Sequence, residues 1–255
     1  MDAVMAGATP LAFWAAVAVI QLAGFVKGAV GFAMSLILMS AFSAFLPPEV
    51  ALAGLMLPTL ATNLLQAFRQ GGAEAAQTAV RYRRFLIGTV AFIAVSAQVF
   101  EHIPRTGYLL LLGLPVTAFA AVQLVGVPLA LPLRHRNGAE WGLGMIGGLY
   151  GGVSGIWGPP LLVFLLSTGV AKAEMVRVQG VVFLIGAMAL LAAHLGTGLA
   201  SAERLAFSTA LVLPAVAGMQ LGYRVQDRLD QTMFRRWTQG LLVLTGLNLV
   251  RQAFM

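Results

Sequence analysis

Cysteine is absent from this 255-residue chain, and charged residues make up only 10% of it. The lack of cysteine excludes disulfide bonds, thiolate metal sites and thiol catalysis. Soluble domains carry about 25% charged residues, whereas 59% of this chain is hydrophobic. The composition therefore predicts an all-α polytopic membrane protein.

Acidic residues are also scarce, and all nine fall at or near predicted loops. No carboxylate is therefore expected at mid-membrane depth, where a proton relay would need one. The sequence has no His, Asp and Glu group at metal-ligand spacing, no Gly-x-Ser-x-Gly elbow and no Walker loop. We expect no catalytic residue, no metal and no cofactor, so an enzyme is not predicted.

Basic residues exceed acidic ones, with 16 Lys+Arg and a net charge of +7. Such residues flank membrane spans on the cytoplasmic side. No basic stripe alternates with aromatic residues as nucleic-acid binding would require, so the expected partner is the lipid bilayer. The first ten residues contain no Lys or Arg, so a cleaved signal peptide is not expected. We expect a multi-pass protein of the cell membrane, namely the bacterial inner membrane.

The order of apolar segments predicts two repeats, residues 1–133 and 134–255. The first repeat is expected to contain a broken segment at 11–46 and spans at 50–68, 85–100 and 108–127. The second is expected to contain a broken segment at 141–167 and spans at 175–195, 205–222 and 237–250. A shift of 124 residues places Gly24, Gly28 and Gly31 on Gly148, Gly152 and Gly155. This correspondence indicates an internal duplication.

Each broken segment is apolar but carries residues that disfavour a continuous helix. Residues 24–31 and 148–160 are rich in glycine, and the second stretch ends in Pro159 and Pro160. Glycine weakens a helix by about 1 kcal/mol and an interior proline by about 3. Irregular backbone at membrane depth is tolerated only where protein or a polar cavity surrounds it. Each break is therefore a candidate binding site.

The distribution of basic residues favours re-entrant hairpins at both breaks. With hairpins, loops 69–84, 128–140, 168–177 and 223–236 lie inside and hold twelve Lys/Arg, against three outside. With single crossings, the two sides would hold eight and seven. The positive-inside rule favours the hairpins, which leave three crossings in each half. An odd number inverts the second half, as in secondary transporters. The predicted fold is thus two inverted repeats, each a glycine-rich broken or re-entrant hairpin plus three transmembrane helices, with the two tips meeting near the midplane.

Lys27 indicates the charge of the ligand that the candidate site would bind. A lysine at the centre of a membrane span costs about 3 kcal/mol on insertion scales, so Lys27 either attracts an anion or reaches water by snorkelling. A helix that starts after a glycine turn presents free N–H groups to an oxyanion. The expected substrate-binding residues are Lys27, Gly28, Gly31, Ser35, Asn63, Gly152, Ser154, Gly155, Trp157, Pro159 and Gln179.

Structural roles stay open for several of these residues. The glycines could serve close helix packing, and the polar side chains could bond the backbone of another helix. Trp157 could be a gate or a packing wedge. Arg177 is expected to be a cytoplasmic flank, and His194, near the end of its span, could handle protons.

Longer motifs surround these residues. The second half contains Gly148-x3-Gly152-x2-Gly155-x2-Gly158-Pro159-Pro160-Leu161, then Lys172, Glu174 and Arg177, and later Pro214-x3-Gly218-x3-Gly222-Tyr223-Arg224. The first half contains Gly24, Lys27, Gly28, Gly31 and Phe32. These motifs resemble the TauE/SafE sulfite-exporter-like family of membrane permeases. The chain departs from the family at Ala33 and Met34, where glycine is frequent. The resemblance implies transport of sulfite, sulfonates or related organosulfur anions.

The predicted function is a secondary transporter that moves a small oxyanion by alternating access. Export is the expected direction, because a negative-inside potential drives an anion outward by about 2.3 kcal/mol per charge per 100 mV. An anion channel or an uptake permease for another small anion is one alternative, and a non-transport membrane scaffold is another. A small anion and the bilayer are the expected partners, and a homodimer stays open.

Overall fold

A computed structural model describes residues 7, 9–127, 130, 132–225 and 231–254. The first six residues, part of the expected connector (128, 129 and 131) and loop residues 226–230 with Arg228 lie outside this description. The described residues are helical with no strand, so the all-α prediction is confirmed. The helices are α1 (Pro10–Val30), α2 (Met34–Phe42), α3 (Pro48–Ala67), α4 (Gly72–Arg81), α5 (Arg83–Ala97), α6 (Arg105–Leu124), α7 (Arg136–Ser154), α8 (Gly158–Ser167), α9 (Lys172–Gly196), α10 (Ala202–Ala210), α11 (Val212–Val225) and α12 (Gln231–Ala253).

Five helical segments of the described chain are long and apolar enough to cross a membrane. They are α1, α3, α6, Glu174–Gly196 of α9, and Ala202–Val225, which joins α10 and α11. The predicted span at 85–100 corresponds to α5, whose 15 residues extend about 22 Å at 1.5 Å per residue. The predicted span at 237–250 lies within α12.

The order of helices repeats along the chain. In both halves a long helix is followed by a short break, a short helix and a second long helix. The left-handed residues that end α1 and α7 are Gly31 and Gly155, 124 residues apart. The same offset of 124 separates the starts of α2 and α8 and the starts of α3 and α9. The periodicity seen in the glycines therefore extends to the helix boundaries.

The chain forms two compact units, and neither coincides with a sequence half. The first unit comprises Met1–Pro58, Glu101–Val127 and Leu199–Met255. The second comprises Thr59–Phe100 and Pro128–Gly198. Each unit therefore combines helices from both predicted repeats.

Within the first unit, α1 packs against α11 through glycines on both helices. A Cβ at Gly24 or Gly28 would collide with the carbonyl oxygens of Ala215 and Met219. In return, α11 presents Gly218 to the backbone of α1, where a Cβ would collide with the carbonyl of Gln21. Small residues allow this approach of two backbones, which is how helices associate where no water is expelled.

Within the second unit, α7 packs in the same way against α5. Gly144, Gly148 and Gly152 face the backbone carbonyls of Phe85, Thr89 and Ile93, so the contacts recur every four residues on both helices. The first helix of each half thus packs on the fifth helix of the other half: α1 on α11, and α7 on α5.

These contacts explain a difference from the sequence prediction. Gly24, Gly28, Gly148 and Gly152 were expected to interrupt helices, but they lie inside α1 and α7. The glycines fit a continuous helix because each faces a neighbouring backbone that leaves no room for a side chain. The breaks are confined to 31–33 and 155–157.

Candidate functional site

The first break joins α1 to α2. Gly31 has φ of +91°, and its amide donates to the carbonyl of Lys27 at 2.7 Å. Ala33 is left-handed as well, with φ of +78°, a conformation that costs a residue with a side chain about 1 to 2 kcal/mol. The backbone of the first break therefore favours glycine at positions 31 and 33, and the sequence has glycine only at position 31.

Lys27 lies on the last turn of α1 and is only 2% exposed. Ser35, half-buried, lies on the first turn of α2. The residue before α2 is Ala33, which supplies no side-chain cap to the first amides of the helix. The N-terminus of a helix attracts anions through such amides. The first break thus brings a buried lysine and the N-terminus of α2 into the same short stretch of chain.

The second break joins α7 to α8, and several carbonyls near the end of α7 are bonded within the protein. Gly155, with φ of +68°, donates its amide to the carbonyl of Gly151 at 2.7 Å. The Ser154 hydroxyl donates to the carbonyl of Tyr150 at 2.6 Å and accepts the amide of Ile156 at 3.1 Å. Ser154 therefore stabilises the end of α7 itself.

His194 of α9 bonds the carbonyl of Gly152, with Nε2 and the oxygen 2.8 Å apart. Because a carbonyl oxygen only accepts, Nε2 carries the hydrogen. The fully buried ring also lies edge-on to Phe100. Sequence reasoning considered His194 for proton handling and missed this contact, which no local pattern could reveal because 42 residues separate the partners.

Trp157 and the prolines that follow it shape the start of α8. The indole is 2% exposed, contacts Gly151 and Gly186, and stacks edge-on with Phe183. This packing matches the wedge alternative. Pro159 occupies the first turn of α8, as predicted from its missing N–H. Because two of the first three residues of α8 are prolines, its N-terminus offers fewer N–H donors than that of α2.

Helix α3 carries a buried polar face in its second half. The side chains of Thr59, Thr62, Asn63 and Gln66 are each at most 3% exposed and follow the three- and four-residue spacing of one helix face. At one end of this face, the Gln66 amide donates to the carbonyl of Val176 on α9 at 3.0 Å. Gln179, also on α9, is 3% exposed.

The segment 69–84, expected to be a loop, contains helix α4, and the end of α4 and the start of α5 are tied to the starts of α7 and α9. Arg81 Nη1 lies 2.7 Å from Glu174 Oε1, and the Tyr82 hydroxyl donates to the same oxygen at 3.2 Å. Burial, together with the negative charge of Glu174, raises the pKa of Tyr82. Glu140 on α7 accepts the amide of Phe85 at 3.3 Å.

A second ion pair joins the same elements. Arg177 on α9 lies 2.6 Å from Glu74 on α4 and donates to Gln70 at 3.0 Å. Arg177 is therefore engaged with the segment 69–84, and its expected role as a cytoplasmic flanking residue stays a prediction.

The structure distributes the predicted site residues as follows. Four surround the first break, namely Lys27, Gly28, Gly31 and Ser35. Five surround the second, namely Gly152, Ser154, Gly155, Trp157 and Pro159. Asn63 lies on the polar face of α3, and Gln179 lies on α9. Their binding roles stay predictions, while Gly28 and Gly152 have packing contacts that account for the absence of a side chain.

No cluster of His, Asp and Glu residues in the described chain could hold a metal ion.

The family model for the sulfite exporter TauE/SafE matches residues 16–249. No curated protein and no solved structure matches the chain.

Proposed function

This chain belongs to the sulfite exporter TauE/SafE family, and we propose that it is a secondary transporter that exports a small oxyanion, sulfite or an organosulfonate, by alternating access. The family and the five candidate spans make it a multi-pass membrane protein. The observation that supports an anionic substrate is Lys27, a lysine that is only 2% exposed on the last turn of α1. Its location in a bacterial inner membrane belongs to the proposal.

The contacts of the second broken segment support a re-entrant hairpin. Glu140, just before the segment, contacts Phe85 at the start of α5, and Glu174, beyond its end, contacts Arg81 at the end of α4. A single crossing would place Glu140 and Glu174 on opposite sides of a hydrocarbon core about 30 Å thick. Where the chain turns, Pro160 Cβ lies 3.7 Å from the position of a Cβ on Gly147, so α8 returns alongside α7.

The first broken segment has the corresponding arrangement. Phe13, near the start of α1, stacks edge-on with Phe207 at 6.1 Å. Phe42, the last residue of α2, lies beside Phe207 around Gly54, where both rings are within 3.4 Å of the position of a Cβ. Both ends of this segment therefore lie near α10, which favours a second hairpin.

Two hairpins give each half an odd number of crossings, so the halves are inverted with respect to the membrane. Inverted repeats with broken helices are a common architecture of secondary transporters. The exchange of packing partners, α1 on α11 and α7 on α5, agrees with two halves of equivalent structure.

In the proposed mechanism, Lys27 and the N-terminus of α2 bind the anion in the first unit. In the second unit, the polar face of α3 and Gln179 provide buried polar side chains that an anion can contact. Lys27 supplies positive charge that attracts the anion. The neutral polar side chains contact the anion without forming an ion pair, so they do not hold it strongly. A negative-inside potential favours outward movement by about 2.3 kcal/mol per charge per 100 mV.

The test is sulfite efflux from proteoliposomes containing wild-type protein, Lys27→Ala or Lys27→Arg, with Arg105→Ala as a basic-residue control at an exposed position. We expect Lys27→Ala to slow efflux by about ten-fold or more, since a charged hydrogen bond is worth about 1.5 to 3 kcal/mol. Wild-type rates in Lys27→Ala would overturn the role of Lys27. Counterflow separates a carrier from a channel, because only a carrier is accelerated by anion on the opposite side.

A further inference from the structure

Helix α3 contains a proline at the point where its polar face begins. Pro58 immediately precedes Thr59, the first polar residue of that face. A proline inside a helix has no N–H to donate to the carbonyl four residues earlier, which here belongs to Gly54. The backbone of α3 therefore lacks one of its own hydrogen bonds at this point.

Ser208 of α10 occupies this position. Its hydroxyl donates to the carbonyl of Gly54 at 3.3 Å and accepts the amide of Leu57 at 3.1 Å. Ser208 is fully buried, so water does not replace it. One hydroxyl thus bonds both the acceptor that Pro58 leaves without an amide and the amide that directly precedes the proline.

Phe207, next to Ser208 on α10, also packs at this point of α3. A Cβ at Gly54 would lie 2.8 Å from Cε1 of Phe207, so only a residue without a side chain admits the ring. The second repeat lacks this arrangement, because the residue 124 positions after Pro58 is Val182, a buried residue within α9. The feature is therefore specific to the helix that carries the polar face.

We propose that Ser208 is a positioning residue for transport, which replaces the backbone hydrogen bond removed by Pro58 and so fixes the turn of α3 from which the polar face extends. Neighbouring hydroxyls are known to satisfy backbone groups freed by proline in membrane helices. Ser208 itself does not touch the anion. Its functional consequence rests on the proposed transport function.

The test is a double-mutant cycle of Ser208→Ala and Pro58→Ala, measured by hydrogen exchange at the Leu57 amide and by sulfite efflux. We expect Ser208→Ala to speed exchange and to lower the maximal efflux rate by about ten-fold, because a buried polar group is left unsatisfied. The apparent KM for sulfite should stay within about two-fold, since no group that contacts the anion is removed.

In the Pro58→Ala background, the alanine amide can again donate to Gly54, so the cost of Ser208→Ala should shrink to about two-fold or less. The matched control is Thr209→Ala, whose exposed hydroxyl donates to Leu205 of its own helix; it should change neither readout. An equal loss in both backgrounds, or unchanged Leu57 exchange in Ser208→Ala, would overturn the inference. If wild-type vesicles move no sulfite, the transport proposal fails, while the exchange cycle still decides the pairing of Ser208 with Pro58.

Discussion

Arg81 and Glu174 form an ion pair, with Nη1 and Oε1 2.7 Å apart. The Arg81 side chain is 56% exposed, and exposed pairs contribute about 1 kcal/mol or less. The contact therefore matters for where the two helices lie, and it adds little to stability. It places the start of α9 beside the end of α4, within the segment 69–84 that the charge distribution assigns to the inside.

This position predicts the labelling of cysteines introduced on either side of the second hairpin. The chain has no cysteine of its own, so Ala139→Cys and Val170→Cys can be compared directly with an impermeant thiol reagent. We expect both to be labelled from the cytoplasmic side, and Thr106→Cys, at an exposed position in the predicted outer loop, from the opposite side. Labelling of 139 and 170 from opposite sides would contradict the hairpin.

Ala33 predicts a stabilising substitution. Its φ of +78° is one that glycine adopts without steric cost, so Ala33→Gly should raise the free energy of unfolding by about 1 kcal/mol. The measurement is the thermal midpoint in detergent or lipid. Ala41→Gly, inside α2, is the matched control and should lower stability by about 0.5 to 1 kcal/mol. A lower midpoint for Ala33→Gly would show that the left-handed conformation is not maintained.

The packing of α7 on α5 predicts opposite effects for two glycines of the same helix. A Cβ at Gly148 would collide with the carbonyl of Thr89, whereas a Cβ at Gly142 meets nothing within 4 Å. Gly148→Ala should destabilise the protein by about 1 to 3 kcal/mol. Gly142→Ala should be neutral or stabilising by up to about 1 kcal/mol, because alanine favours a helix. Equal midpoints for the two variants would contradict the close approach of these helices.

Some features of the breaks could be predicted from the sequence because their causes are local. Gly31 and Gly155 have positive φ, which glycine accepts without a side-chain clash. Pro159 lies in the first turn of α8, where a missing N–H matters least. The offset of 124 residues between the halves follows directly from the order of the residues.

Other roles could not be predicted because they depend on a partner distant in sequence. Gly148 disfavours a helix by propensity, yet the carbonyl of Thr89 beside it explains why glycine is needed within α7. The Ser154 hydroxyl could bind a ligand or the backbone, and only the structure shows that it donates to the carbonyl of Tyr150 at 2.6 Å. For Trp157, burial against Gly186 favours the packing role.

The sequence by itself determined that the chain is helical and suited to a membrane, that each of the two glycine-rich segments contains a break, and that a single lysine lies among the apolar residues before the first break. These features follow from composition, backbone preference and spacing along the chain. Only the tertiary structure decided that α1 packs on α11 and α7 on α5, that Ser208 bonds the backbone beside Pro58, and that Glu174 meets Arg81. Such pairings depend on the shapes of surfaces far apart in the chain, and local preference carries no information about which of them meet.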